Sequence, residues 1–260
     1  MSDAIIETRG LTKEFRGFTA VRDVALSVRR GTIHALIGPN GAGKTTCFNL
    51  ITKFLQPTAG TITFNGRDIT RLKPADVARL GLVRSFQISA TFPHLTLLEN
   101  VRIALQRQLG TSLHFWRSER SLDILNERAA GYLAAVGLTG YAELTAGELP
   151  YGRKRVLEIA TTLALEPEML LLDEPMAGMG REDIARVSAL IRKVAENRTV
   201  LMVEHNLNVV ADLSDFITVL ARGEILAEGT YAEVSRNPQV VEAYMGTGGA
   251  GRGAGAAAHG

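Results

Sequence analysis

Residues Gly38-Pro39-Asn40-Gly41-Ala42-Gly43-Lys44-Thr45 follow an apolar run, Ile33-His34-Ala35-Leu36-Ile37, and lead into Thr45-Thr46-Cys47-Phe48-Asn49-Leu50-Ile51. The run reads as a buried strand and the following segment as a helix. The loop between them fits G-x-x-x-x-G-K-[ST], a pattern that carries meaning only in a strand–loop–helix setting. Glycines let the backbone wrap closely around a polyphosphate, so that successive N–H groups face its oxygens. The helix N-terminus adds a partial positive charge at the same place. Lys44 is then placed to reach β- and γ-phosphates, and the Thr45 hydroxyl to ligate Mg²⁺. Residues Gly38 to Thr46 form the candidate nucleotide-binding segment.

The rest of the chain fits an α/β fold around that loop. Residues 5–37 are strand-rich, with short apolar runs broken by Gly10, Gly17 and Gly31. Thr61-Ile62-Thr63-Phe64 runs into Asn65-Gly66, a strong hairpin-turn signal. From about 94 to 160 the pattern is mainly helical. Met169-Leu170-Leu171-Leu172 and Thr199-Val200-Leu201-Met202-Val203 are continuous apolar strands separated by helical spacing from Val187 to Val194. Such alternation implies a mainly parallel sheet covered on both faces. Phe216–Leu220 and Glu224–Ala227 flank Arg222-Gly223 and read as a terminal hairpin. Residues 246–260 are almost entirely Gly and Ala, and such a segment is expected to be disordered because it buries too little side chain to offset ordering entropy.

Bulk properties exclude several classes. A net charge of +2 gives no electrostatic case for nucleic acid. One cysteine, Cys47, permits no internal disulfide. No apolar run approaches the roughly 18–20 residues that cross a bilayer, and the N-terminal residues Met1 to Glu7 lack the basic and apolar regions of a secretory signal. The chain is expected on the cytoplasmic side, with membrane attachment supplied by a partner.

The distinctive polar residues follow strand ends: the loop after Ile37, Asp173-Glu174 after Leu172, and His205 after Val203 with Glu204. In open α/β sheets ligands bind at that edge. Leu170-Leu171-Leu172-Asp173 has the Walker B form, and an aspartate there can hold Mg²⁺. Glu174 stands where a carboxylate can polarise an attacking water.

These residues, taken in order, resemble the nucleotide-binding subunit of an ATP-binding cassette (ABC) transporter over about residues 5–245. The resemblance is carried by the Walker A loop at 38–45, Gln87 in Val83-Arg84-Ser85-Phe86-Gln87, and a signature-like Leu149-Pro150-Tyr151-Gly152-Arg153. It continues through Walker B at 169–173, Glu174, a D-loop-like Met176-Ala177-Gly178-Met179-Gly180, and His205. Phe86-Gln87, the run from Phe92-Pro93-His94-Leu95 to Asn100-Val101, Leu157-Glu158-Ile159-Ala160 and Ala243-Tyr244-Met245-Gly246 look like the branched-chain amino acid uptake subfamily. Lipopolysaccharide-export ATPases share much of this pattern, and a non-transport assembly-factor ATPase is a further alternative.

The resemblance implies an ABC cassette with a mainly parallel central sheet, an N-terminal antiparallel β subdomain and a helical subdomain at about 90–160. It implies ATP held by Gly38, Pro39, Asn40, Gly41, Ala42, Gly43, Lys44, Thr45 and Thr46. Mg²⁺ falls to Thr45 and Asp173 with Gln87 nearby, and catalysis to Glu174, His205 and Gln87. Phe15 takes the place of an adenine-stacking ring, although a lone Phe in a strand-rich segment reads equally as core. Pro93 and Leu95 either line a permease groove or pack ordinarily. The implied partners are a sister ATPase or a second copy, two transmembrane permease subunits and, indirectly, a periplasmic solute-binding protein, with no nucleic acid. The implied place is the cytoplasmic face of the inner membrane.

One departure stands out. Pro150 replaces the usual signature serine and brings neither a hydroxyl nor an N–H. The ATP site closed by this signature is therefore expected to be the weaker of two in a heterodimer. Gly180 likewise stands where a D-loop aspartate is usual.

Overall fold

The computed structural model describes residues 3–85, 91–106 and 125–245. Gln87 and the Gly/Ala-rich tail lie outside these described residues. The chain divides into two compact units, Met1–Leu72 with Val203–Gly260, and Lys73–Met202.

In the first unit, strand β1 (Ala4–Phe15) pairs antiparallel with β2 (Phe18–Val24), β3 (Ser27–Arg29) and β5 (Ala59–Phe64), and β5 pairs with β6 (Arg67–Asp68). Strand β4 (Ile33–Ile37) is buried throughout and runs parallel to β10 (Phe216–Ala221), which pairs antiparallel with β11 (Glu224–Gly229). The hairpin turns Arg16-Gly17, Asn65-Gly66 and Arg222-Gly223 all hold both central residues at positive φ. That is the turn geometry whose twist matches paired strands. Helix α1 (Lys44–Ile51) follows β4.

A polar thread runs through this core. Thr218 donates its hydroxyl proton to Glu228 at 2.7 Å, so its oxygen accepts from His34 Nε2 at 2.8 Å. His34 is therefore the Nε2–H tautomer. Burial, and secondarily the Arg29 charge, lower its pKa to about 4, so it is neutral at ordinary pH.

In the second unit, α2 (Pro74–Arg79) leads to β7 (Leu82–Ser85), which pairs parallel with β8 (Met169–Asp173). Helices α3 (Leu97–Gln106), α4 (Asn126–Ala135) and α5 (Tyr151–Leu163) pack on one another. Helix α6 (Arg181–Ala195) then leads to β9 (Thr199–Val203), whose last residue opens the return to the first unit. Asp76, Glu99, Glu182 and Asp183 lie in first turns and Arg79, Arg192 and Lys193 in last turns, as helix dipoles favour. After β9 come α7 (Leu207–Leu213), α8 (Tyr231–Val234) and α9 (Pro238–Met245) in the first unit.

The antiparallel N-terminal sheet, the parallel pairs β4/β10 and β7/β8, and the helical cluster agree with the fold class expected from the sequence.

Candidate nucleotide-binding site

The loop 38–45 is built by close backbone approach. At Gly38 (φ 149°) a Cβ would lie 2.0 Å from the Leu220 carbonyl oxygen. At Gly43 (φ 99°) it would lie 2.5 Å from the carbonyl oxygen of Ala20. Neither position admits a side chain. The loop is also pinned by Gly223 N–H donating to the Ala42 carbonyl at 3.0 Å. Gly43 is the N-cap of α1 and has no side chain to cap the first turn, which leaves its amides suited to an anion. Lys44 is buried, and its ammonium donates to the carbonyls of Gly38 at 2.8 Å and Pro39 at 2.9 Å. Thr45 is exposed beside it, and Thr46 half-buried. Cys47 is buried, which pushes its thiol pKa up to about 12 and makes it inert.

Phe15 is 42% exposed at the end of β1, so it is not a core residue. Lys13 lies over its ring at 5.2 Å. Its register partner across the hairpin is Phe18, 66% exposed. The sequence reading gave Phe18 no role, although two phenylalanines flanking an Arg-Gly pair were visible in it.

A cavity of about 540 Å³ lies beside the loop, lined by Pro39, Gly41, Arg222, Leu226, Gln239 and Glu242 among others. Helix α9 forms one wall, and the Tyr244 hydroxyl hydrogen-bonds the backbone of Gly38. Burial raises the Tyr244 pKa, with the Gly38 contact acting in the opposite sense. The phenol therefore stays protonated.

At the end of β9, Glu204 is buried and its carboxylate accepts from the N–H groups of His205 (2.9 Å) and Asn206 (3.1 Å). Asn206 caps α7 by accepting from Asn208 and Val209. The exposed His205 is thus held on a turn that Glu204 fixes. A glutamate closing a wholly apolar strand was the sequence signal for this role.

In the second unit, Asp173 ends β8 with its side chain buried, and the guanidinium of Arg84 on β7 sits directly on its carboxylate. Arg155 of α5, also buried, donates to the carbonyls of Asp173 (2.9 Å) and Glu174 (3.4 Å) while Glu158 holds its other end at 2.6 Å. Glu174 is half-buried and adopts φ 47°, a strained conformation for a non-glycine residue. Arg84, Arg155 and Glu158 escaped the sequence reading as site residues because charged residues on a strand or helix read as surface until a buried partner is known.

The signature segment opens α5. Leu149 is buried and Tyr151 exposed. Pro150 is the N-cap of α5, at φ −57° and ψ 153°. Its carbonyl accepts from the N–H groups of Arg153 and Lys154, both at 3.0 Å, so the Arg153 amide is already engaged. The Arg153 guanidinium lies 4.2 Å over the Tyr141 ring. A Cβ on Gly152 would fall 2.5 Å from the Asp183 carboxylate, so glycine keeps α5 close to α6.

Phe92, Pro93 and His94 are exposed ahead of α3. The buried Asn100 side chain accepts from Phe92 N–H at 2.7 Å and donates to the carbonyls of Phe92, Leu95 and Thr96 at 3.1, 3.2 and 2.8 Å. Among the described residues no cluster of three or more His, Cys, Asp or Glu side chains could hold a metal. Thr45 in the first unit and Asp173 in the second each carry an oxygen donor of the hard kind that Mg²⁺ prefers.

A family model described as "ABC transporter" matches residues 21–177, and one described as "Branched-chain amino acid ATP-binding cassette transporter" matches residues 224–250. The chain is 42% identical to the high-affinity branched-chain amino acid transport ATP-binding protein BraF of Pseudomonas aeruginosa, over 95% of this chain and 99% of that protein. It is 40% identical to the corresponding protein LivG of Salmonella typhimurium, with the same coverage of 95% and 99%. The fold superposes on the ADP conformation of MJ1267, an ATP-binding cassette of an ABC transporter, with a TM-score of 0.83 and 32% identity, covering 94% of this chain and all of that one.

Proposed function

The chain belongs to the ABC transporter family, in its branched-chain amino acid branch, and from that premise we propose that it is the ATP-hydrolysing subunit of an importer for branched-chain amino acids or related solutes. The observation that carries this reading is the match across nearly the whole chain to proteins of that transport class, including a separate match to its C-terminal segment at 224–250. That segment contains β11 and α9, which line the cavity beside the phosphate loop. The same relatives favour uptake over lipopolysaccharide export or an assembly factor.

The nucleotide belongs on the loop 38–46. On binding, its β- and γ-phosphates take over the Lys44 ammonium from the Gly38 and Pro39 carbonyls and accept from the α1 amides. Phe15, and with it Phe18, offers a ring for adenine. Thr45 and Asp173 would hold Mg²⁺, which supplies charge neutralisation between the phosphates. Glu174 orients or deprotonates the attacking water, and His205, on its Glu204-fixed turn, contacts the γ-phosphate. Gln87 is assigned to metal and water sensing on the resemblance alone.

Leu149 to Arg153 stand at the N-terminus of α5, which suits them to close on an ATP presented by a second cassette. With Pro150 as N-cap and the Arg153 amide engaged, fewer donors face that ATP, which supports the weaker-site expectation. No helix of the described residues is long and apolar enough to cross a membrane. On the resemblance, attachment is assigned to permease subunits docking at Pro93 and Leu95, at the cytoplasmic face.

The test is purification of the tagged chain from detergent-solubilised membranes, with identification of its companions. Two polytopic permeases and a sister ATPase are expected. Recovery of lipopolysaccharide-export components, or only soluble assembly factors, would overturn the uptake reading.

A further inference from the structure

A carboxylate as buried as that of Asp173 is costly to leave charged and unpaired. Two guanidiniums approach Asp173, one at its main chain and one at its carboxylate. Arg155 is turned to main-chain carbonyls and anchored by Glu158. Arg84 is turned to the carboxylate itself, from the neighbouring strand, where β7 and β8 pair Ser85 with Leu172. The side chains of Arg84 and Asp173 are 11% and 2% exposed, so water does not screen the contact.

We propose that Arg84 is a resident counter-ion for Asp173 and that divalent metal must compete with it for the carboxylate. The proposal rests on the reading that Asp173 is a metal ligand. Arg84 is then a positioning residue rather than a catalytic one. It keeps the carboxylate paired and aimed while no metal is present. It also lowers metal affinity, because the metal gains only the difference between its own bond and the ion pair it disrupts. Release of metal after each cycle is correspondingly easier, since the guanidinium returns to the oxygen the metal leaves.

The test is titration of Mn²⁺ into the full-length, ADP-loaded chain, with free Mn²⁺ read by electron paramagnetic resonance. Wild type is compared with Arg84→Met, Arg84→Lys and Asp173→Asn. Arg84→Met is expected to bind Mn²⁺ about tenfold more tightly, the order expected for removing one charged hydrogen bond from the competition, while its metal-free form melts earlier. Arg84→Lys, which keeps a cation, stays near wild type. General damage to the fold would weaken metal binding, so tightening separates competition from a structural role. If Arg84→Met does not fold, Arg84→Gln carries the same expectation. Unchanged or weaker Mn²⁺ binding on loss of Arg84, with weakened binding in Asp173→Asn, overturns the counter-ion proposal alone. Unchanged binding in Asp173→Asn overturns the metal role of Asp173, and the proposal with it.

Discussion

The amide of Gly147 donates to the carbonyl of Pro93 at 2.8 Å, and a Cβ on Gly147 would lie 3.0 Å from that oxygen. Ala146 N–H reaches the Leu95 carbonyl at 2.9 Å, and Thr96 and Thr145 form a bridge. The Phe92–Leu95 segment, exposed from Phe92 to His94, is therefore stitched to the stretch that leads into the signature helix α5. A displacement of one is expected to carry the start of the other with it. Replacing Gly147 by Val crowds that junction. The variant is expected to keep its ADP affinity and to lose solute-stimulated ATP turnover in the assembled transporter by at least about tenfold, the scale of a displaced positioning element. Stimulated turnover at the wild-type level would remove this route of coupling.

Asn100 is the clamp of the same segment. Asn100→Ala forfeits its hydrogen bonds to Phe92, Leu95 and Thr96 and leaves part-buried backbone groups unpaired. A loss of about 2–3 kcal/mol in urea unfolding is expected, against less than about 0.5 kcal/mol if the segment re-pairs with water.

His34 makes the fold acid-sensitive in a definite window. Its folded pKa of about 4 lies below the ordinary 6.5. The unfolded chain thus binds the extra proton first, and stability is lost as pH falls from about 6.5 to about 4. The loss attributable to this residue is on the order of 3 kcal/mol. Urea unfolding of wild type and His34→Gln at pH 7 and pH 5 checks it: the variant should show the smaller decline.

Gly43→Ala forces a side chain against the Ala20 carbonyl in a left-handed conformation. ADP affinity is expected to fall by at least about tenfold, with far-ultraviolet circular dichroism unchanged. Wild-type affinity would mean that the loop shape seen here is not the binding shape.

The sequence made the backbone-determined features plain. Gly38, Gly43 and the Asn65-Gly66 and Arg222-Gly223 turns are dictated locally, by φ values and close approach, and they appear where the residue pattern put them. Arg84, Arg155, Glu158 and Asn100 were not legible as parts of a site. Each acts through a partner on another element or through a loop whose shape the side chain itself creates. A periodicity argument sees only a polar residue at a strand end or on a helix. Phe15 shows the intermediate case: its type was informative, while its exposure had to come from the β1–β2 hairpin. Pro150 caps α5 because its ψ of 153° is extended, a conformation the residue type alone left open.

The central claim is tested most directly by ATP hydrolysis in proteoliposomes holding the complex purified through this chain, with and without its solute-binding protein loaded with leucine, isoleucine or valine. Loaded binding protein is expected to raise turnover severalfold and drive uptake, both abolished by Lys44→Ala. Turnover that ignores the loaded binding protein, or uptake that survives Lys44→Ala, would contradict the account.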